Sequence, residues 1–277
     1  MPASRADSVS PSTPTGKPQL AGMALRNGVL MLSANWWAVA TREQDGTIRT
    51  TTGRRPTDGS GIADSVPLLR GPVRLVNMMR VLPQVRRAVP GVRFGFQSRG
   101  MLAGVVTASV ASSAVRRRTG PGAVSDLAGS MLSLVTTFAA LRGGEVAAYH
   151  GAEHKAIGGY EQGIDAALAT REHPRCGTNL ALPLMLFSTA ATQAALRLAP
   201  AHPRTARIAG QAAGVALATE LFRAAQKPTG IGRSAGRAAV AAGIALQTAA
   251  TTKEPDAAQL AVARAALDAV LEAEAGR

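Results

Sequence analysis

Residues 177–196 read GTNLALPLMLFSTAATQAAL, 20 residues without a charge. As a helix such a run is about 30 Å long, the thickness of a bilayer's hydrocarbon core. Its reading decides the fold: it is either a membrane span or the buried helix of a water-soluble bundle. Ala, Gly, Ser and Thr dilute its Leu, Met and Phe and add little transfer energy, so hydropathy leaves both open. Working outward, Thr119–Leu141 carries one charge, Asp126, and Met101–Val115 carries none. Ile208–Thr219 and Ala238–Thr252 are shorter apolar runs. Alanine is abundant in all of them, which favours helix.

Composition sharpens this picture. Apolar residues make up 46% of the 277 and aromatics only 3%, so the core must be built from small side chains. Small residues let helix backbones approach closely, as they do in membranes. The net charge is +14, from 31 Lys and Arg against 17 Asp and Glu. The cations come in short clusters between apolar runs: Arg54 with Arg55, Arg86 with Arg87, Arg116 to Arg118, Arg204 with Arg207, Arg233 with Arg237. That spacing fits loops flanking membrane segments and an anionic lipid surface, and argues against one continuous nucleic-acid stripe. Cys176 is the only cysteine, which excludes an intramolecular disulfide.

Residues 1–20 begin with a polar, Ser- and Pro-rich stretch, MPASRADSVSPSTPTGKP, without an apolar core of the signal-peptide kind. They read as a disordered arm. Residues 21–277 read as one domain. In residues 28–52, GVLMLSANWWAVATREQDGTIRTTT, β-branched and aromatic residues flank Asp45 and Gly46. An Asp-Gly pair supplies the positive φ angles of a tight turn, so the segment predicts a β-hairpin. Helical sequence fills about 66–277. After a polar Gly/Asp/Pro linker, residues 66–82 predict an amphipathic helix with Pro72 near its start and arginines on one face. Residues 251–274, TTKEPDAAQLAVARAALDAVLEAE, predict a closing helix with Glu254 and Asp256 at its positive end.

Chemistry concentrates in residues 149–161, YHGAEHKAIGGYE. His150 and His154 are four apart and share one helix face, so both imidazoles can grip one ion. Glu153 lies on that face too, where a carboxylate beside a polarised water acts as general base. Gly151, Gly158 and Gly159 weaken a regular helix there, and Lys155 would repel a bare cation. Residues 172–178, EHPRCGT, add His173 and Cys176 at zinc-ligand spacing, on a turn marked by Pro174 and Gly177. Glu220, alone in an apolar run, is a further candidate ligand, with Arg223 as an alternative partner. Four protein ligands would close the site structurally; three would leave a position for catalysis.

These blocks, with HPRCGTNL, TTKEPDAAQLAVARAAL, GMALRNGVLML and PLLRGPV, resemble the YqhQ-like family, bacterial proteins of unknown function described as predicted metal-dependent enzymes with several membrane spans. The resemblance runs from about Gly22 to about Leu271. It implies that His150, Glu153, His154, Glu161, His173, Arg175 and Cys176 are the functional positions, and that the chain is a multi-pass protein of the bacterial cytoplasmic membrane. The chain departs from the family at Met23, Asn27 and Ala261, where the pattern carries Gln, Glu and Glu.

The expectation is therefore a mainly α, membrane-embedded multi-helix bundle with a small N-terminal β-hairpin, binding one divalent metal, zinc by donor type. Its function would be hydrolysis, with Glu153 activating water. The alternative is a non-catalytic membrane protein whose metal site rigidifies a loop for a partner.

Overall fold

The computed structural model describes residues 17–56, 65–97, 99–120, 122–142 and 144–276. The expected arm at 1–16 and the linker at 57–64 lie outside them. Lys17 to Leu20, assigned to the arm, instead belong to the fold. Lys17 Nζ donates to the Tyr160 carbonyl at 2.7 Å and Leu20 is buried.

The hairpin expected over 28–52 is one part of a four-stranded antiparallel meander. Its strands are β1 (Ala21–Ala24), β2 (Gly28–Leu32), β3 (Trp36–Arg42) and β4 (Ile48–Arg54), paired in that order. The turn falls at Asp45 and Gly46 as expected, but only Gly46 takes a positive φ, +87°; the Thr47 N–H donates to Asp45 Oδ1 at 2.9 Å. A second turn divides β2 from β3, where the Trp36 N–H donates to Ser33 Oγ at 3.1 Å. A Ser with two short residues after it supports this turn without glycine, so it leaves a weak signal.

The sheet alternates by the two-residue period of a strand. Val29, Met31, Ala38 and Ala40 face one way, against helices α4 (Glu145–Gln162) and α8 (Ala257–Ala275). Leu30, Leu32, Trp37 and Val39 face the other way, against Val81 and Val85 of α1 (Arg70–Ala88) and against Val92 and Phe94. Each of the Val, Leu, Met and Phe side chains contributes about 1.5–3 kcal/mol on full burial. The capping box of Asp256 and Gln259 starts α8, with the Gln259 N–H 2.7 Å from Asp256 Oδ1.

Among the described residues, five further helices form a second layer: α2 (Arg99–Thr119), α3 (Ala123–Leu141), α5 (Ala181–Leu198), α6 (Pro203–Ala225) and α7 (Arg233–Leu246). Here the pattern is inside-out. Ser112, Ser188, Thr192, Gly210 and Gly214 are buried, while Leu102, Val110, Val124, Val135, Leu186 and Ile208 are exposed. Gly210 and Gly214 of α6 lie against Thr192 and Ser188 of α5; a Cβ on Gly214 would stand 2.5 Å from Ser188 Cα. Among the described residues, one helical stretch, Gly177–Leu198, is long and apolar enough to cross a membrane.

Candidate metal centre

Helix α4 is buried around most of its girth although it carries His150, Glu153, His154, Lys155 and Glu161. Its glycines do not break it. Gly151 lies against the Lys253 carbonyl and Gly159 against Ala166, so both are positions where other backbone comes too close for a side chain. The helix ends at Gly163, whose φ of +68° fits a left-handed cap. The expected repulsion by Lys155 is removed by Glu254, whose Oε1 accepts from Lys155 Nζ at 2.6 Å.

Two loops close over α4 and orient its imidazoles. His150 Nδ1 is 2.8 Å from the Thr251 carbonyl oxygen, and His154 Nδ1 is 2.7 Å from that of Arg171. A carbonyl only accepts, so both protons sit on Nδ1 and both Nε2 lone pairs are left for another partner. This is how histidine ligands are held in metal sites. His150 Nε2 lies 3.3 Å from Cys176 Sγ, and His150, His154 and Cys176 offer donor atoms all within 4.8 Å of one another. Two imidazoles and a thiol form a donor set that suits zinc.

Glu153 stands beside this group. It is 5% exposed and makes no hydrogen bond among the described residues. Its carboxyl end lies over Gly22, where a Cβ would come within 2.6 Å of its Cδ, so a side chain at that point would push the carboxyl aside. His150, Glu153, His154, His173, Arg175 and Cys176 line one cavity of about 410 Å³. Burial raises the Glu153 carboxyl to about 8 and the Cys176 thiol to about 11. Burial also lowers His150, pushes His154 well below its ordinary range with help from His150, and takes His173 down to about 4. At neutral pH the imidazoles are thus neutral, the form that binds a metal.

His173 and Glu220, both candidate ligands from sequence, are not brought into this group. The His173 ring is used on both sides: Nε2 is 3.2 Å from Glu161 Oε2, and Nδ1 accepts the Arg175 N–H at 3.2 Å. Glu161 is also paired with Arg175, so these three residues brace the loop that carries Cys176. The Glu220 carboxylate is taken by Arg70, whose Nε donates to Oε1 at 2.6 Å, rather than by Arg223. Of the three departures noted above, only Met23 lines the cavity. Asn27 holds a turn through the Gly91 carbonyl and the Arg93 N–H, and Ala261 is exposed.

Sequence reasoning missed the clamp on the loop. Gln247 is fully buried at the start of a π-helical turn, Gln247–Thr251, that follows α7. Its Oε1 accepts the His173 N–H at 2.8 Å, and its Nε2 reaches the His173 carbonyl at 3.1 Å and Asn179 Oδ1 at 2.7 Å. The same turn presents the Thr251 carbonyl to His150, which fits the frequent use of π turns at functional sites. Gln247 lies inside the apolar run Ala238–Thr252 and carries no charge to mark it. Its substitution by leucine is expected to lower stability by about 3 kcal/mol, because a buried N–H and an amide oxygen lose their partners; chemical denaturation of the full chain measures it.

No curated protein and no solved structure matches the chain. A family described as "Protein of unknown function (DUF1385)" matches residues 132–273, from within α3 to the last turns of α8, and so includes the whole His150, Glu153, His154 and Cys176 group but none of the sheet. That match covers just over half of the chain, and the chain belongs to this family.

Proposed function

We propose that His150, His154 and Cys176 hold one divalent cation, zinc by donor type, and that the protein is a membrane-associated hydrolase in which Glu153 is the general base. The observation that carries this reading is Glu153 itself: a buried carboxyl with no hydrogen-bond partner among the described residues, facing a cavity beside three donor atoms that lie within 4.8 Å of one another. A bound zinc ion would polarise water and a substrate carbonyl. The chain's own residues do the rest. Thr251 and Arg171 carbonyls fix the two rings, Gly22 leaves room for Glu153, and Glu153 takes a proton from water and returns it to the leaving group. Three protein donors leave a coordination position open, which favours catalysis over the alternative, a closed structural site that docks a partner. The resemblance to the YqhQ-like family, with its predicted metal-dependent enzymes, points the same way.

Proton counting tests the reading without a substrate. At pH 7 the Cys176 thiol and the Glu153 carboxyl are both protonated before zinc arrives, since their folded values, about 11 and about 8, lie above that pH. Zinc favours the thiolate and the carboxylate, so binding is expected to release about two protons, and about one in Glu153→Gln. Titration in buffers of different ionisation enthalpy measures this. An unchanged count in Glu153→Gln would place the carboxyl outside the cation's field.

For location, we infer several spans from α2, α3, α5 and α6, in a bacterial cytoplasmic membrane. The outward faces of α3 and α5 are mainly apolar, while Ser112, Ser188, Thr192, Gly210 and Gly214 fill the contacts of this layer, as in helices that pack within lipid. The arginine clusters then meet anionic headgroups. The protein is expected to stay with washed membranes at high salt. Release by salt alone would favour nucleic-acid contact instead.

A further inference from the structure

The cavity beside the metal centre lies off the edge of β1. Met78 of α1 lines it from one side of the sheet and Ile157 of α4 from the other. All four residues of β1 line it, Ala21, Gly22, Met23 and Ala24, although their side chains alternate between the two faces. What the four share is the strand's outer edge.

The polarity of that edge follows from the ladder. The Leu25 N–H donates to the Gly28 carbonyl at 2.9 Å, which makes Leu25 and Gly28 a bonded pair. Bonded pairs alternate, so with Met23 opposite Leu30 and Ala21 opposite Leu32, Gly22 and Ala24 turn their main-chain groups outward. A bridge from Leu25 to Phe94 closes the edge beyond Ala24. Among the described residues, the Gly22 N–H and carbonyl and the Ala24 N–H have no hydrogen-bond partner. The other edge strand, β4, is guarded by Arg49 and Arg54, whereas β1 carries no charge, no proline and no bulge. Gly22, which offers both groups, is also the residue over which Glu153 folds.

We propose that the substrate is a polypeptide segment bound in extended form as a further strand on β1. This rests on the hydrolase reading above and names its substrate class. Main-chain hydrogen bonds to Gly22 and Ala24 would set the segment's register, and Met23, Met78, Val146 and Ile157 would receive apolar side chains. Register then fixes which peptide carbonyl stands at the Glu153 end of the cavity. The reaction is hydrolysis of that amide. The water oxygen bonds to the carbonyl carbon, the C–N bond breaks with its electron pair going to nitrogen, and Glu153 carries the water's proton to that nitrogen.

The test is binding, measured by fluorescence anisotropy on the full chain in nanodiscs, with zinc content determined on the same samples. Three probes are compared: a capped, fluorescein-labelled peptide with a Val-Leu-Ala-Val centre and serine ends, the same peptide N-methylated at alternate backbone nitrogens, and an octanoyl fluorescein amide. The unmodified peptide is expected to bind at least about tenfold more tightly than either of the others, the worth of two main-chain hydrogen bonds. Ala24→Pro removes an outward N–H at an edge position that tolerates proline, and is expected to shrink that advantage several-fold. Equal binding of the peptide and its methylated twin, or of the octanoyl probe, with zinc retained, would overturn the peptide class while leaving the hydrolase reading in place. Absence of zinc binding would remove that reading and this proposal together.

Discussion

Substitution of His154 by alanine is expected to lower the zinc affinity of the solubilised chain by at least about a hundredfold. The expectation follows from donor count. Three side chains converge, and the ring that is lost is held by the Arg171 carbonyl with its Nε2 turned toward the other two donors. The imidazole beside the set cannot replace it: the His173 ring centre is 5.7 Å from that of His154, but both of its nitrogens are engaged with Glu161 and Arg175. His173→Ala is therefore expected to weaken zinc by an order of magnitude less than His154→Ala, through loosening of the Cys176 loop alone. Glu220→Gln is expected to leave zinc affinity unchanged, since its carboxylate serves Arg70. Competition against a chromophoric chelator ranks the three. Equal losses in His154→Ala and His173→Ala would return His173 to the ligand set.

The second large effect lies in the helical layer. Gly214→Leu is expected to prevent native assembly, costing more than about 4 kcal/mol, beyond the usual range for a point substitution. A side chain there would enter the backbone of α5, with Ser188 Cα at 2.5 Å and Ser188 N at 2.7 Å from its first atom. Gly210 faces Thr192 one turn away in the same manner, so α5 cannot slide to make room without a second clash. Gly100 in α2 meets nothing within 4 Å, and Gly100→Ala is expected to change stability by less than about 1 kcal/mol. Size-exclusion profiles and thermal unfolding in detergent distinguish the two. A monodisperse, normally stable Gly214→Leu protein would refute the close seam.

The physical origin of what could be read ahead is visible in particular residues. The helices and the turn at Asp45 and Gly46 were legible because their signals are local: apolar periodicity, a capping Asp256 and a glycine able to take positive φ. His150, Glu153 and His154 were legible because helical spacing alone puts them on one face. Cys176 came into view through its turn. The sheet's true size was not legible, because β1 is Ala-Gly-Met-Ala, and its strand character comes from pairing with β2 and not from propensity. Neither was the choice among His173, Cys176 and Glu220. That choice depends on which long-range partner reaches each group first: Glu161 for His173 and Arg70 for Glu220. Gln247 and the Thr251 carbonyl are separated from α4 by about a hundred residues, and no spacing rule connects them. The membrane question stayed open for a related reason. Dilution of the apolar runs by Ala, Gly and Ser lowers their hydropathy, and the structure puts these small residues in the helix contacts.

The account stands on the convergence of two imidazoles and one thiolate on a single cation next to Glu153. Zinc K-edge X-ray absorption on the loaded full chain measures that convergence directly. One sulfur at about 2.3 Å and two imidazole nitrogens at about 2.0 Å are the predicted shell, with the sulfur lost in Cys176→Ser. A shell of oxygen and nitrogen alone, unchanged by Cys176→Ser, would contradict it.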